Sequence, residues 1–162
     1  MTNNDILRRI RFIFNFSDSK MIALFALADH RVTREEISNW LKKDADPAYQ
    51  ECHDSLLAIF LNGLINDNRG KKKGVWSIPE KRLTNNVILR KLKIALTMKD
   101  EDILEILNLV DFQLSRHELS AFFRKPDHKH YRPCKDQVLR NFLNGLRCKY
   151  RPESISVSPG KE

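Results

Sequence analysis

Apolar positions along this chain recur at helical spacing, in two matching series. Ile6, Leu7, Ile10, Ile13 and Phe14 form a first stripe interrupted by arginines. Spacings of three and four residues predict a helix with one buried face. Met21, Ile22, Leu24, Phe25 and Ala28 form a second stripe, Ile37, Trp40 and Leu41 a third, and Leu57, Phe60, Leu61 and Leu64 a fourth. The later part of the chain answers with Ile103, Leu104, Ile106 and Leu107, then Leu119, Phe122 and Phe123, then Leu139, Phe142, Leu143 and Leu146. Start signals fall where these stripes begin. Asn4 reads as the N-cap of the first helix, with Asp5 favouring the helix dipole in its first turn. Ser17-Asp18 opens the second helix and Asp100 caps its copy. Thr33-Arg34-Glu35-Glu36 and Ser115-Arg116-His117-Glu118 both fit a capping box. The fourth helix is expected from about Cys52 past Leu64, and again from about Cys134 to about Cys148. Strands find little support.

The two series are one unit written twice. Laying Ile6-Leu7-Arg8 on Ile88-Leu89-Arg90 gives an offset of 88 − 6 = 82, and the register holds without a gap. Asn3-Asn4 falls on Asn85-Asn86, Asp29 on Asp111, and Tyr49, Cys52 and Asp54 on Tyr131, Cys134 and Asp136. Phe60-Leu61-Asn62-Gly63-Leu64 falls on Phe142-Leu143-Asn144-Gly145-Leu146. Self-similarity of this kind marks a structural unit used twice. Glycine inside a helix costs about 1 kcal/mol relative to alanine. Its repetition beside the apolar face therefore predicts a close backbone approach that a β-carbon would block. Asn62 and Asn144 are read as amides that satisfy a neighbouring loop or helix end, with a ligand contact as the other reading. The expected architecture is all-α: two tandem homologous four-helix units packed with pseudo-two-fold symmetry. The expected boundaries are unit one at 1–65, a basic connector at 66–84, unit two at 85–148 and a flexible tail at 149–162. Val75-Trp76-Ser77-Ile78 in the connector permits a short extended piece, and the tail from Pro152 has the composition of a disordered end.

Charge separates the halves. Unit one through Ile65 sums to 8 − 9 = −1, the connector to 6 − 2 = +4, unit two through Arg147 to 12 − 8 = +4 and the rest to 3 − 2 = +1, giving the total of +8. Positive potential gathered on one half points to a polyanion partner. Three cysteines do not suit a secreted disulfide framework. Arg8, Arg9 and Arg11 break any apolar leader at the N-terminus, and no run is long enough to span a bilayer. A cytoplasmic protein with no membrane partner is expected.

The candidate chemistry lies in unit two. Arg124, Lys125, Lys129, His130, Tyr131 and Arg132 interleave cations with rings, the composition that single-stranded or looped RNA requires. Lys71, Lys72 and Lys73 in the connector could add to this patch. Unit one has Lys42-Lys43-Asp44-Ala45-Asp46 at the matching place, largely neutralised. A solvated loop is the plain alternative. Helices two and three of each unit also have the spacing of a helix-turn-helix, or of an ordinary helical hairpin. Leu27 and Leu109 are bulky where that motif has a small residue, and Arg31 and Gln113 stand where glycine is usual. His128, His130 and Cys134 lie near one another, but no second ligand pair with zinc spacing exists, so neither metal nor cofactor is expected. Glycine-rich phosphate loops, GxSxG, HExxH and paired CxxC motifs are missing, and no catalytic residue is assigned.

Two sets of residues carry a resemblance. Asn4 to Ile10 and Asn86 to Leu92 each read NxILRx followed by Ile or Leu, each unit ends in FLNGL, and Arg124 to Cys134 reads RKPDHKHYRPC. This resembles the YehS-like family of bacterial proteins, a tandem duplication of a domain of unknown function. The resemblance runs from Asn3 to about Leu146. It implies a small cytosolic protein with no established activity and no catalytic residues to carry over. The residues themselves lead to nucleic-acid binding through the basic loop of unit two. The alternative is a protein-interaction adaptor using a groove between helical units.

Overall fold

The computed structural model describes residues 1–70 and 78–156. Lys71, Lys72, Lys73, Val75, Trp76 and Ser77 lie outside the described residues, and with them the lysine run and most of the expected extended piece. Among the described residues the chain is all-helical: α1 (Asn3–Phe14), α2 (Asp18–Leu27), α3 (Arg34–Leu41), α4 (Asp54–Arg69), α5 (Asn85–Ala95), α6 (Asp100–Asn108), α7 (Arg116–Ala121), α8 (Asp136–Tyr150) and α9 (Glu153–Ser156). By contact density it divides into two compact units, Met1–Leu83 with Ile94–Leu96 and Thr84–Lys93 with the residues from Thr97 onward. Each unit repeats the same helix order. No helix among the described residues is long and apolar enough to cross a membrane.

In unit one, Leu7, Ile10, Met21, Leu24, Phe25, Ile37, Leu57, Phe60 and Leu61 are fully buried. The Phe25 ring packs 5.5 Å from Trp40 and 5.4 Å from Phe60, tying α2, α3 and α4 together. Unit two places Leu107, Phe122 and Phe142 at the matching positions, all buried. The glycines decide how closely the helices pack. A β-carbon at Gly63 would overlap the Leu24 carbonyl oxygen and sit 2.7 Å from the carbonyl carbon. At Gly145 it would overlap the Ile106 oxygen and sit 2.9 Å from its carbonyl carbon. Leu24 and Ile106 are themselves 82 apart (106 − 24), so the same crossing is built twice. The expected backbone approach is present in both units.

Helix starts depart from expectation in an instructive way. Thr2, not Asn4, caps α1: its hydroxyl accepts from the Asp5 amide, and the Asp5 carboxylate accepts from the Thr2 amide. The repeat mate Thr84 supplies only the hydroxyl half of this arrangement at α5, accepting from the Val87 amide at 3.2 Å, since Val87 has no carboxylate to return the bond. Lys99, not Asp100, is the N-cap of α6, and the Asp102 carboxylate accepts its amide at 2.7 Å. Asp100 instead pairs with Lys93 at 2.6 Å, as Asp18 pairs with Arg11 at 3.0 Å in unit one. The predicted capping boxes at Thr33 and Ser115 are both formed. Left-handed residues also repeat: Asn15 with Thr97, and Asp29 with Asp111, all at φ between 53° and 60°. In the link between the second and third helices that conformation falls on the aspartates rather than on Arg31 or Gln113. Carboxylates tolerate it through local hydrogen bonding, whereas Thr97 holds it against its β-branch. Within the expected tail the described residues end at Ser156. Residues 153–156 make one turn of helix, held by Arg151 donating to Glu153 at 2.8 Å and by the Ser154 hydroxyl donating to the Arg151 carbonyl at 2.7 Å.

The crossing predicts an inverted substitution effect. Helix propensity alone makes Gly63→Ala stabilising by about 1 kcal/mol. Against the Leu24 carbonyl it should instead destabilise, by about 3 kcal/mol, the upper range for overpacking. Gly145→Ala should behave alike in unit two. Urea denaturation followed by circular dichroism reads the sign directly.

Candidate nucleic-acid interface

Each unit pins the loop between its third and fourth helices with a buried asparagine. The Asn4 amide donates to the Trp40 and Gln50 carbonyls, each at 2.9 Å, and its carbonyl accepts from the Cys52 amide at 2.9 Å. Asn86 donates to the Phe122 and Arg132 carbonyls at 3.0 and 2.8 Å and accepts from Cys134 at 2.9 Å. Both side chains are almost wholly excluded from water. Such a site satisfies three backbone groups that would otherwise be buried without partners. The preceding asparagines add a second tie. Asn3 donates to the Cys52 carbonyl at 3.0 Å and to Asp54 at 2.7 Å, and Asn85 to the Cys134 carbonyl and Asp136 at the same two distances. Asp54 and Asp136, each in the first turn of the last helix of its unit, thereby gain a specific amide partner.

These ties set the local pKa values. The Asn3 amide, followed by the Leu83 backbone N–H, holds the Asp54 carboxyl below its ordinary value. The Asn85 amide does the same for Asp136. A depressed carboxyl stabilises the fold above its unfolded pKa, and that contribution is lost as pH falls through the folded value. Burial pushes the Cys52 and Cys134 thiols up to about 12, so both are packing residues rather than nucleophiles at neutral pH. Among the described residues no group of three or more His, Cys, Asp or Glu side chains is placed to hold a metal ion.

The loop tips share a backbone and differ in charge. In unit one the Asp46 amide donates to Lys43 and the Tyr49 amide to Asp46, each at 3.0 Å. In unit two the His128 amide donates to Lys125 and the Tyr131 amide to His128, each at 2.9 Å. The Asp46 carboxylate accepts from the Ala48 amide at 2.9 Å, and His128 Nδ1 accepts from the His130 amide at 3.0 Å. An imidazole therefore takes over the turn-closing bond made by a carboxylate in unit one. Residues 42–53 carry 2 − 3 = −1, and the matching 124–135 carry 5 − 1 = +4.

The structure places the candidate residues as follows. Lys125, Lys129, His130 and Arg132 are exposed, and Arg124 and Tyr131 are half-buried. The Arg132 guanidinium donates to the Tyr131 carbonyl at 2.9 Å, and the His128 and His130 rings lie 5.5 Å apart. The Arg124 Nε is buried without a hydrogen-bond partner. No carboxylate among the described residues pairs with Lys125, Lys129 or Arg132. Beside the loop, unit two has a groove of about 410 Å³. Phe112, Leu114 and Val138 supply apolar lining, and Arg132 and Lys135 supply cations. The sequence reading missed this groove because its lining comes from three separated segments. The one sequence signal was the replacement of His30-Arg31-Val32 in unit one by Phe112-Gln113-Leu114.

A family model described as "Protein of unknown function (DUF1456)" matches residues 3–70 and again 85–151. The chain belongs to the DUF1456 family. The two matched segments correspond to the two units, so the DUF1456 unit includes the asparagine ties, the loop and the glycine crossing. "Uncharacterized protein YehS" of Escherichia coli (strain K12) is 44% identical over 147 residues, covering 90% of this chain and 94% of that protein. No solved structure matches.

Replacing the buried amide tests its role in the DUF1456 unit. Asn86→Ala orphans three backbone groups and should destabilise by about 2–4 kcal/mol, given 1–3 kcal/mol per buried unsatisfied group and incomplete additivity. Hydrogen exchange at the Cys134 amide should accelerate with it.

Proposed function

We propose that this protein binds nucleic acid through the loop between α7 and α8, with backbone phosphates as the main target. The observation that supports this reading is the reversal of charge on a shared turn. The same backbone carries −1 in unit one and +4 in unit two, by the counts over residues 42–53 and 124–135. A fold needs no such reversal, because both versions close the turn with equivalent hydrogen bonds. Cations on a loop anchored at both ends can meet phosphates with little ordering cost. Lys125, Lys129 and Arg132 would contact phosphate, Arg124 would add charge from the base of the loop, and His130 and Tyr131 would offer ring faces. Lys71, Lys72 and Lys73 are proposed to extend the same footprint.

Affinity for short DNA and RNA, measured against salt concentration, tests the reading. Neutralising Lys129 and Arg132 together should flatten the slope of log affinity against log salt by about two units on duplex DNA. An unchanged slope, or no binding at low salt, contradicts the proposal. Capture from lysate with and without nuclease separates it from an adaptor role: a stoichiometric protein that survives nuclease would favour the adaptor.

A further inference from the structure

The groove beside the loop gives the proposed activity a strand preference. This inference rests on the nucleic-acid reading above and names the form of nucleic acid the site takes. We infer that the groove holds one unpaired nucleobase, with the flanking phosphate on Arg132 and Lys135, so that unit two selects single strands over duplex.

Four observations carry it. The volume of about 410 Å³ lies within the range of small-molecule pockets, roughly 300–1,000 Å³. Phe112 lines it and is only half-buried, so an aromatic side chain capable of stacking is not sealed into the core. Gln113 and Gln137, both exposed, also line it and bring amides that can donate to and accept from a base edge. Finally, Arg132 belongs both to the groove and to the cationic loop, so the phosphate track leads into the apolar space. Glu118 is the opposing charge in the lining, but its carboxylate accepts the Ser115 amide at 3.0 Å as part of the α7 cap. The groove's formal balance of Arg132, Lys135 and Glu118 is 2 − 1 = +1.

Duplex DNA lacks a splayed base to offer, whereas a flexible single strand presents one at little cost. Unit one has Gln50 and His53 in place of Arg132 and Lys135, and His30 in place of Phe112. The preference is therefore assigned to unit two alone.

The test is fluorescence anisotropy of labelled ten-residue oligo-dT, oligo-U and a duplex of equal length, at one salt concentration. The full-length chain should bind the single strands more tightly than the duplex. Phe112→Ala should weaken single-strand binding on the order of tenfold, as loss of one base–aromatic stack does. It should leave duplex binding and the salt slope unchanged. Phe112→Tyr keeps the ring and should retain affinity, which separates stacking from a folding defect. If duplex binds as tightly as single strand, or Phe112→Ala weakens both alike, the groove inference falls and phosphate binding stands. If the unaltered protein binds none of the three, the functional reading falls as well.

Discussion

Each unit depends on one helix crossing in which backbone meets backbone. Gly63 and Gly145 remove the β-carbons that would strike the carbonyls of Leu24 and Ile106. The close approach brings Phe25 onto Phe60 and Trp40 in unit one, and it seats α8 on α6 in unit two. Small helical units bury limited apolar surface, so a few tight contacts weigh heavily in their stability. Glycine costs helix propensity in exchange for this contact, and duplication has kept the exchange in both copies.

On that core each unit builds a frame and a tip. The frame is polar: the buried Asn4 or Asn86 holds three backbone groups of the loop, and the half-buried Asn3 or Asn85 ties the loop to the first turn of the last helix. Because these asparagines reach the loop itself only through its backbone, the tip's side chains are free to change. The tips have changed, from Asp44, Asp46 and Glu51 to Pro126, His128 and Pro133. His128 keeps the turn closed through its ring nitrogen, so losing a carboxylate left the backbone unaltered. Loops held by a rigid scaffold are where proteins place binding residues.

Much of this was legible from residues alone. The helices, the duplication and the reason for Gly63 followed from apolar spacing and an 82-residue register. Asn4 was misread because asparagine suits an N-cap, and nothing local distinguishes a cap from a buried tie. Its partners lie 36 to 48 residues away, and only the fold brings them together. Thr2 and Thr84, the actual caps, sit one helical half-turn earlier and repeat as faithfully as the asparagines. The basic loop was visible as composition. The groove was not, because Phe112, Arg132 and Val138 belong to a link, a loop and a helix. Periodicity reports faces of single elements and says little about surfaces assembled from several.

If frame and tip are separable, residues 124–133 can be moved onto positions 42–51 without harm. The most direct measurement is oligonucleotide affinity of that graft alongside its unfolding curve. The account predicts a cooperative transition close to the parent's, with a steeper salt dependence of binding from the second basic tip. A graft that unfolds, or one that folds and binds no more strongly than the parent, would contradict it.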